Sequence, residues 1–181
     1  MKKSYLVLLV TVLFSMSIFS QENTENKSTS GNFNELKLNG LYLILGAFDV
    51  TYERTINQES AFGVNVFLPF DDDINDDINY YISPYYRFYF GKKYAAGFFI
   101  EGFGMLNSIN ESRFSGTIDP VIKEETITDF ALGIGLGGKW ITESGFIGEL
   151  NFGVGRNLFN NDSNNDFDFV AKIGITVGYR F

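Results

Sequence analysis

From residue 35 to the carboxyl terminus, apolar and polar positions alternate with a period of two, and no stretch shows a convincing helical spacing. Eight segments carry the alternation, at about 35–45, 47–56, 61–68, 80–90, 95–106, 128–141, 146–158 and 167–181. It is clearest in 128–141, where Phe130, Leu132, Ile134, Leu136, Gly138 and Trp140 oppose Asp129, Ala131, Gly133, Gly135, Gly137 and Lys139. In 146–158, Phe146, Leu150, Phe152 and Val154 oppose Glu149, Asn151, Gly153, Gly155 and Asn157. In the final segment every odd position from Phe167 to Phe181 is apolar or aromatic, and the even ones include Asp168, Lys172, Gly174, Thr176, Gly178 and Arg180. The pattern predicts eight strands, each with one greasy face and one small or charged face.

The connectors alternate as well. After strands two, four and six come the short stretches 57–60, 91–94 and 142–145, which predict tight turns. After strands three, five and seven come the longer polar stretches 69–79, 107–127 and 159–166. The connector near Gly46 is short where length is expected. Turns at one end and loops at the other predict an all-β, antiparallel, up-and-down arrangement that an even strand number closes into a barrel. Both chain ends then lie on the turn side.

Ahead of the strands, residues 1–20 have the three parts of a secretory signal. Met1-Lys2-Lys3-Ser4 is followed by an apolar run over 5–14 broken only by Thr11, then by Ser15, Met16, Ser17, Ile18, Phe19 and Ser20. That run is too short for a bilayer-spanning helix, so removal after Ser20 is expected. Residues 21–34 are polar and aperiodic, and read as a disordered tail before the domain at 35–181.

Composition narrows the function. With 22 Asp and Glu against 14 Lys and Arg, the 181-residue chain has no nucleic-acid footprint. Its 20 Phe, 10 Tyr and 19 Gly with only 3 Pro suit many close-packed strands. It has no histidine, which excludes Ser-His and Asp-His hydrolytic sites and imidazole metal sites. It has no cysteine, which excludes a cysteine-anchored lipoprotein.

A period of two does not say which face points outward. A lipocalin-like soluble barrel hides its apolar face, and a membrane barrel displays it. Three features favour the membrane. Most segments are long enough to cross hydrocarbon at a tilt of about 45°. The polar faces are rich in Gly and carry isolated charges of both signs, which suits a narrow packed lumen. Turns and loops segregate to opposite ends, as in outer-membrane barrels.

The run Lys172, Gly174, Val177, Tyr179 and terminal Phe181 resembles the assembly signal of bacterial outer-membrane β-barrels. The eight-segment layout over 35–181 is similar to the small OmpX and OmpA-type barrels, and the Phe-, Tyr- and Asn-rich style resembles barrel proteins of Bacteroidota. This resemblance implies an eight-stranded transmembrane barrel in the outer membrane, reached by secretion and inserted by the barrel assembly machinery. Lipid and lipopolysaccharide are the partners it implies; fold-level likeness assigns no activity.

With the greasy faces outward, the lumen receives Lys37, Asp49, Glu53, Ser83, Tyr85, Arg87, Tyr89, Glu101, Lys139, Glu149, Asn151, Lys172 and Arg180. Glu101 is the ambiguous member, because both faces of its segment carry Phe. We expect Glu53, Glu101 and Glu149 to pair with Arg87, Lys139 and Lys172 and close the bore. An eight-stranded barrel is just wide enough for side chains, and unpaired charge inside it is costly. The alternative is a narrow channel for small solutes or ions. Three glutamates also suggest acid–base chemistry, but carboxylates flanked by Arg and Lys are stabilised in the ionised form, so no catalysis is expected.

The run from Gly133 to Gly138 imitates a nucleotide loop, yet it lies within a strand, where small residues relieve crowding. No cofactor is expected. The oxygen-rich stretches 71–77 and 162–168 could attract Ca²⁺, but they lack the EF-hand glycine and closing glutamate, so no specific metal site is expected. Trp140, Phe146, Phe88, Phe90, Tyr179 and Phe181 fall at the turn ends of greasy faces and predict an interfacial girdle. The reading is therefore a non-catalytic outer-membrane barrel with a closed lumen and loops available for surface contacts.

Overall fold

The computed structural model describes residues 33–71, 78–115, 121–159 and 169–181, with the backbone alone described at 111–115 and 121–125. The signal at 1–20, nearly all of the tail at 21–34, and most of both acidic stretches lie outside the described residues. Eight strands form one closed barrel in sequence order, every neighbouring pair antiparallel, with β1 returning to β8. They are β1 (Asn34–Asn39), β2 (Ala47–Thr55), β3 (Ser60–Pro69), β4 (Ile78–Tyr89), β5 (Gly97–Ser115), β6 (Val121–Ile141), β7 (Phe146–Asn157) and β8 (Phe169–Arg180). The seam aligns Glu35 with Arg180 and Asn39 with Thr176, and Asn34 and Phe181 exchange both backbone hydrogen bonds at 3.0 and 2.9 Å.

Alternation becomes geometry because successive side chains leave a strand on opposite faces. The burial pattern of β2 runs buried, exposed, buried without a break from Ala47 to Thr55. Outside lies a belt of exposed apolar side chains that includes Phe62, Phe88, Ile134, Leu136, Phe152, Ile173 and Val177. Inside lie Lys37, Glu53, Arg87, Glu101, Lys139 and Glu149, each at most 3% exposed. The molecule is inverted relative to a soluble barrel. The aromatic residues named for the girdle all stand on the outer surface at the turn end, with Phe146 against Tyr179 at 5.5 Å and Phe90 against Phe98 at 6.0 Å.

Two elements differ from the sequence reading. Residues 35–45 are not one strand: β1 ends at Asn39 and a six-residue helix, α1 (Gly40–Leu45), follows. The alternation is lost at Gly40, after which residues 41–45 are all apolar, so no strand parity could keep leucine out of the lumen. A helix satisfies its own amides and frees that run from the pleat. Asn39 caps it, its side chain accepting from the Leu41 N–H, and Gly46, at φ 109°, ends it with its N–H on the Tyr42 carbonyl.

The second difference concerns the described parts of 107–127, residues 107–115 and 121–127, which are strand rather than loop. β5 and β6 continue through them as a paired ribbon, from Asn107 opposite Asp129 to Ser115 opposite Val121. The segment is polar on both parities around 110–112 and 123–126, so no apolar face marks it in the sequence.

Candidate functional site

The lumen is the place where the chain concentrates chemistry, and strand parity builds it. β1 contributes Glu35, Lys37 and Asn39; β2 contributes Asp49, Thr51 and Glu53; β4 contributes Tyr85, Arg87 and Tyr89. Glu101, Lys139 and Glu149 come from β5, β6 and β7, and Lys172, Thr176 and Arg180 from β8.

Room for these long side chains comes from glycines directly across the ladder. Phe99, Glu101 and Phe103 on β5 stand opposite Gly137, Gly135 and Gly133 on β6. Tyr85 faces Gly63, Lys37 faces Gly178, and Asn151 faces Gly174. At each of these six glycines a β-carbon would collide with that opposing side chain. The glycine run 133–138 is thus the cast of three side chains on β5, and Phe99 and Phe103 fill the lumen on either side of Glu101.

The charges form one connected network. Arg87 reaches three glutamates: Nε to Glu101 at 2.7 Å, Nη1 to Glu53 at 3.0 Å and to Glu149 at 2.8 Å. Lys37 bridges Glu53 at 2.7 Å and Glu149 at 2.9 Å. Lys139 bridges Glu53 at 2.5 Å and Glu35 at 2.9 Å, and Lys172 meets Glu101 at 3.1 Å. Glu53 also accepts from the hydroxyls of Tyr85 at 2.7 Å and Tyr89 at 2.8 Å. Arg87 lies over the rings of Tyr85 and Phe99 at 4.3 and 4.1 Å.

All six residues singled out for pairing, Glu53, Arg87, Glu101, Lys139, Glu149 and Lys172, are therefore brought together. The sequence reading missed Glu35 and left Lys37 and Arg180 outside the paired set. The signal was present: Glu35 and Lys37 share a parity on β1, and Arg180 shares one with Lys172 on β8.

Both ends of the bore are filled. At the turn end, Arg180 binds Glu35 at 2.6 Å and donates to the carbonyls of Tyr94 and Ala95, drawing the β4–β5 turn beneath the network. At the loop end, Asp49 accepts from Asn39 at 2.8 Å and from Asn65. Above it Phe67 stacks on Tyr81 at 4.7 Å and meets Tyr42 edge-on at 5.1 Å, with Phe103 and Met105 in the same cluster. Between the network and these aromatics lies a cavity of about 10 Å³, lined in part by Asn39, Asp49, Asn65, Asn151, Lys172 and Thr176. That is room for about one water molecule.

The barrel has a solved counterpart in fold. The fold is similar to that of the N-terminal β-barrel domain of Pseudomonas aeruginosa OprF. That structure aligns with a TM-score of 0.56 at 12% identity, covering 84% of this chain and 100% of the other. The Yersinia pestis outer membrane protein Ail, determined in a phospholipid bilayer nanodisc, aligns with a TM-score of 0.40 at 15% identity over 83% of this chain and 100% of its own. At such identities the OprF likeness speaks for the fold alone. No protein-family model matches the chain, and no curated protein matches it in sequence.

The five residues of the terminal run do not form one site. Lys172 and Gly174 face the lumen, whereas Val177, Tyr179 and Phe181 are on the outer surface. Among the described residues no group of three Asp or Glu is placed to hold a metal ion. With each glutamate facing at least two cations, the arrangement is built to hold charge in place.

Proposed function

We propose that this chain is a non-catalytic integral outer-membrane β-barrel whose bore is shut by paired charges. Its work is done by its body in the membrane and by the segments at its loop end as surface contacts. One observation carries the reading: a closed barrel displays apolar side chains all round its wall and encloses an ion-paired interior. In water such a belt is an aggregation surface. In hydrocarbon it is the favourable one, and closure leaves no strand edge unpaired along the greater part of the wall. Secretion directed by 1–20, a periplasmic tail at 21–34 and recognition of the terminal run by the assembly machinery belong to the same proposal. So do contacts with lipopolysaccharide. The turn end then faces the periplasm and the long β5–β6 ribbon the exterior.

Membrane fractionation followed by gel electrophoresis with and without boiling tests it. The protein is expected in the outer-membrane fraction, with a folded band whose mobility changes on boiling. A soluble protein with one boiling-independent band would contradict the reading.

A further inference from the structure

β1 stops part-way up the wall. Its six residues, at about 3.3 Å each and a tilt of about 45°, climb about 14 Å, roughly half of a hydrocarbon core. Its neighbours continue: β7 accompanies β8 up to Phe169, and β3 accompanies β2 up to Ala47. Above Asn39, then, β1 offers no partner to Ala47–Asp49 on one side or to 169–175 on the other. This notch, one strand wide, is occupied by α1.

α1 is held lightly. None of its residues is fully buried, and Leu43, Ile44 and Leu45 are exposed. A helix of this length has no stability of its own. Asn39 ties its start to both flanks: Oδ1 accepts from the N–H groups of Leu41 at 3.1 Å and Ile175 at 3.3 Å, and Nδ2 donates to the Ile173 carbonyl at 3.1 Å and to Asp49 at 2.8 Å. Gly46 ties its end, its carbonyl accepting from Phe70 and Asp71 at 2.9 and 3.0 Å. Directly behind Asn39 is the 10 Å³ polar cavity, into whose lining Asn65 is built with its Oδ1 lacking a hydrogen-bond partner. On the turn side the cavity is bounded by Arg87 and Lys172 of the ion network, and on the loop side by Tyr81, whose ring stacks on Phe67.

We propose that α1 is a lateral door in the barrel wall, whose displacement opens the polar cavity to the outer half of the hydrocarbon. The cavity now has room for about one water molecule, so the same displacement must widen it to admit the polar end of a membrane-dissolved amphiphile. Leu43, Ile44 and Leu45 are exposed on the helix, and Asn39, Asp49, Asn65 and Lys172 line the cavity behind its cap. The proposal rests on the bilayer placement above.

The cysteine-free chain allows a direct test. Thr176→Cys places a thiol in the cavity lining, on the strand paired with Asn39; Ser83→Cys places a buried one in the lumen on β4. Each is reconstituted in phosphatidylcholine vesicles, checked for the heat-modifiable band, and exposed to pyrene maleimide dissolved in the bilayer or to a sulfonated maleimide in water. Failure of the placement appears in the band, and failure of the door only in the labelling. Thr176→Cys is expected to react with the bilayer reagent at least about tenfold faster than Ser83→Cys. Adding Gly46→Ala, or separately Asn39→Ala, should raise its rate further and leave Ser83→Cys unchanged. If Thr176→Cys is as inert as Ser83→Cys with the parent door and with whichever door variant folds, the proposal is wrong. Faster reaction with the sulfonated reagent would also overturn it, since access would then be axial.

Discussion

Glu53 receives five donors in the lumen, from Lys37, Arg87, Lys139, Tyr85 and Tyr89. Removing it leaves three buried cations to share the remaining glutamates, and an uncompensated buried charge costs about 3–5 kcal/mol. Glu53→Ala should lower the unfolding free energy by that amount in a urea titration followed by Trp140 fluorescence; a loss below about 1 kcal/mol would show that the network is not a cooperative unit. Parity in the sequence placed these residues inside, but it could not say which of them share a height. Height depends on register. Arg87 meets Glu101 and Lys139 meets Glu149 directly across the ladder, while the like-charged neighbours Glu35 and Glu53 are reconciled by Lys139 between them.

Gly174 belongs to the run that resembles an assembly signal, and it also makes room for Asn151: a β-carbon there would strike the Asn151 amide. Gly174→Ala should destabilise the protein refolded in detergent, where no assembly machinery is present, and Asn151→Ala should restore part of the loss. A coupling of about 0.5–3 kcal/mol in that double-mutant cycle is expected; additivity would mean that the glycine serves recognition rather than packing.

At the scale of elements, strands with a greasy face were legible and the others were not. β2, β4, β7 and β8 declare themselves because one face meets an apolar medium and the other a crowded polar one. Residues 41–45 carry no alternation, so nothing local distinguished a strand from α1; the outcome turns on the Asn39 cap and the positive φ of Gly46. The outer part of the β5–β6 ribbon was invisible for the opposite reason, being polar on both parities around 110–112 and 123–126. The last strand has the most exposed duty, since β1 offers it only five aligned positions before the terminal exchange between Asn34 and Phe181. Deleting Phe181 removes both bonds of that exchange, worth about 1–3 kcal/mol together, and also the terminal aromatic. The amount of assembled, heat-modifiable protein in cells should fall well beyond what this destabilisation costs the refolded protein. Unchanged insertion in cells would contradict the assembly role of the terminus.

For the whole molecule, the sequence reading carried the inverted barrel because two facts constrain each other: eight alternating segments must close, and their charged faces are too sparse to coat a water-exposed surface. What it could not carry was how the bore is filled. That needed the glycine-opposite-bulky pairing across β5 and β6, the inward Phe99 and Phe103, and the β4–β5 turn drawn under Arg180. Among the described residues, the cavity between the ion network and the Phe67–Tyr81 cluster has a volume of about 10 Å³, too small for a hydrated ion. The central claim is that paired charge and aromatic side chains seal this lumen. Planar-bilayer recording of the refolded protein tests it most directly: no stable conductance steps are predicted, and reproducible steps that Glu101→Ala abolishes would contradict it.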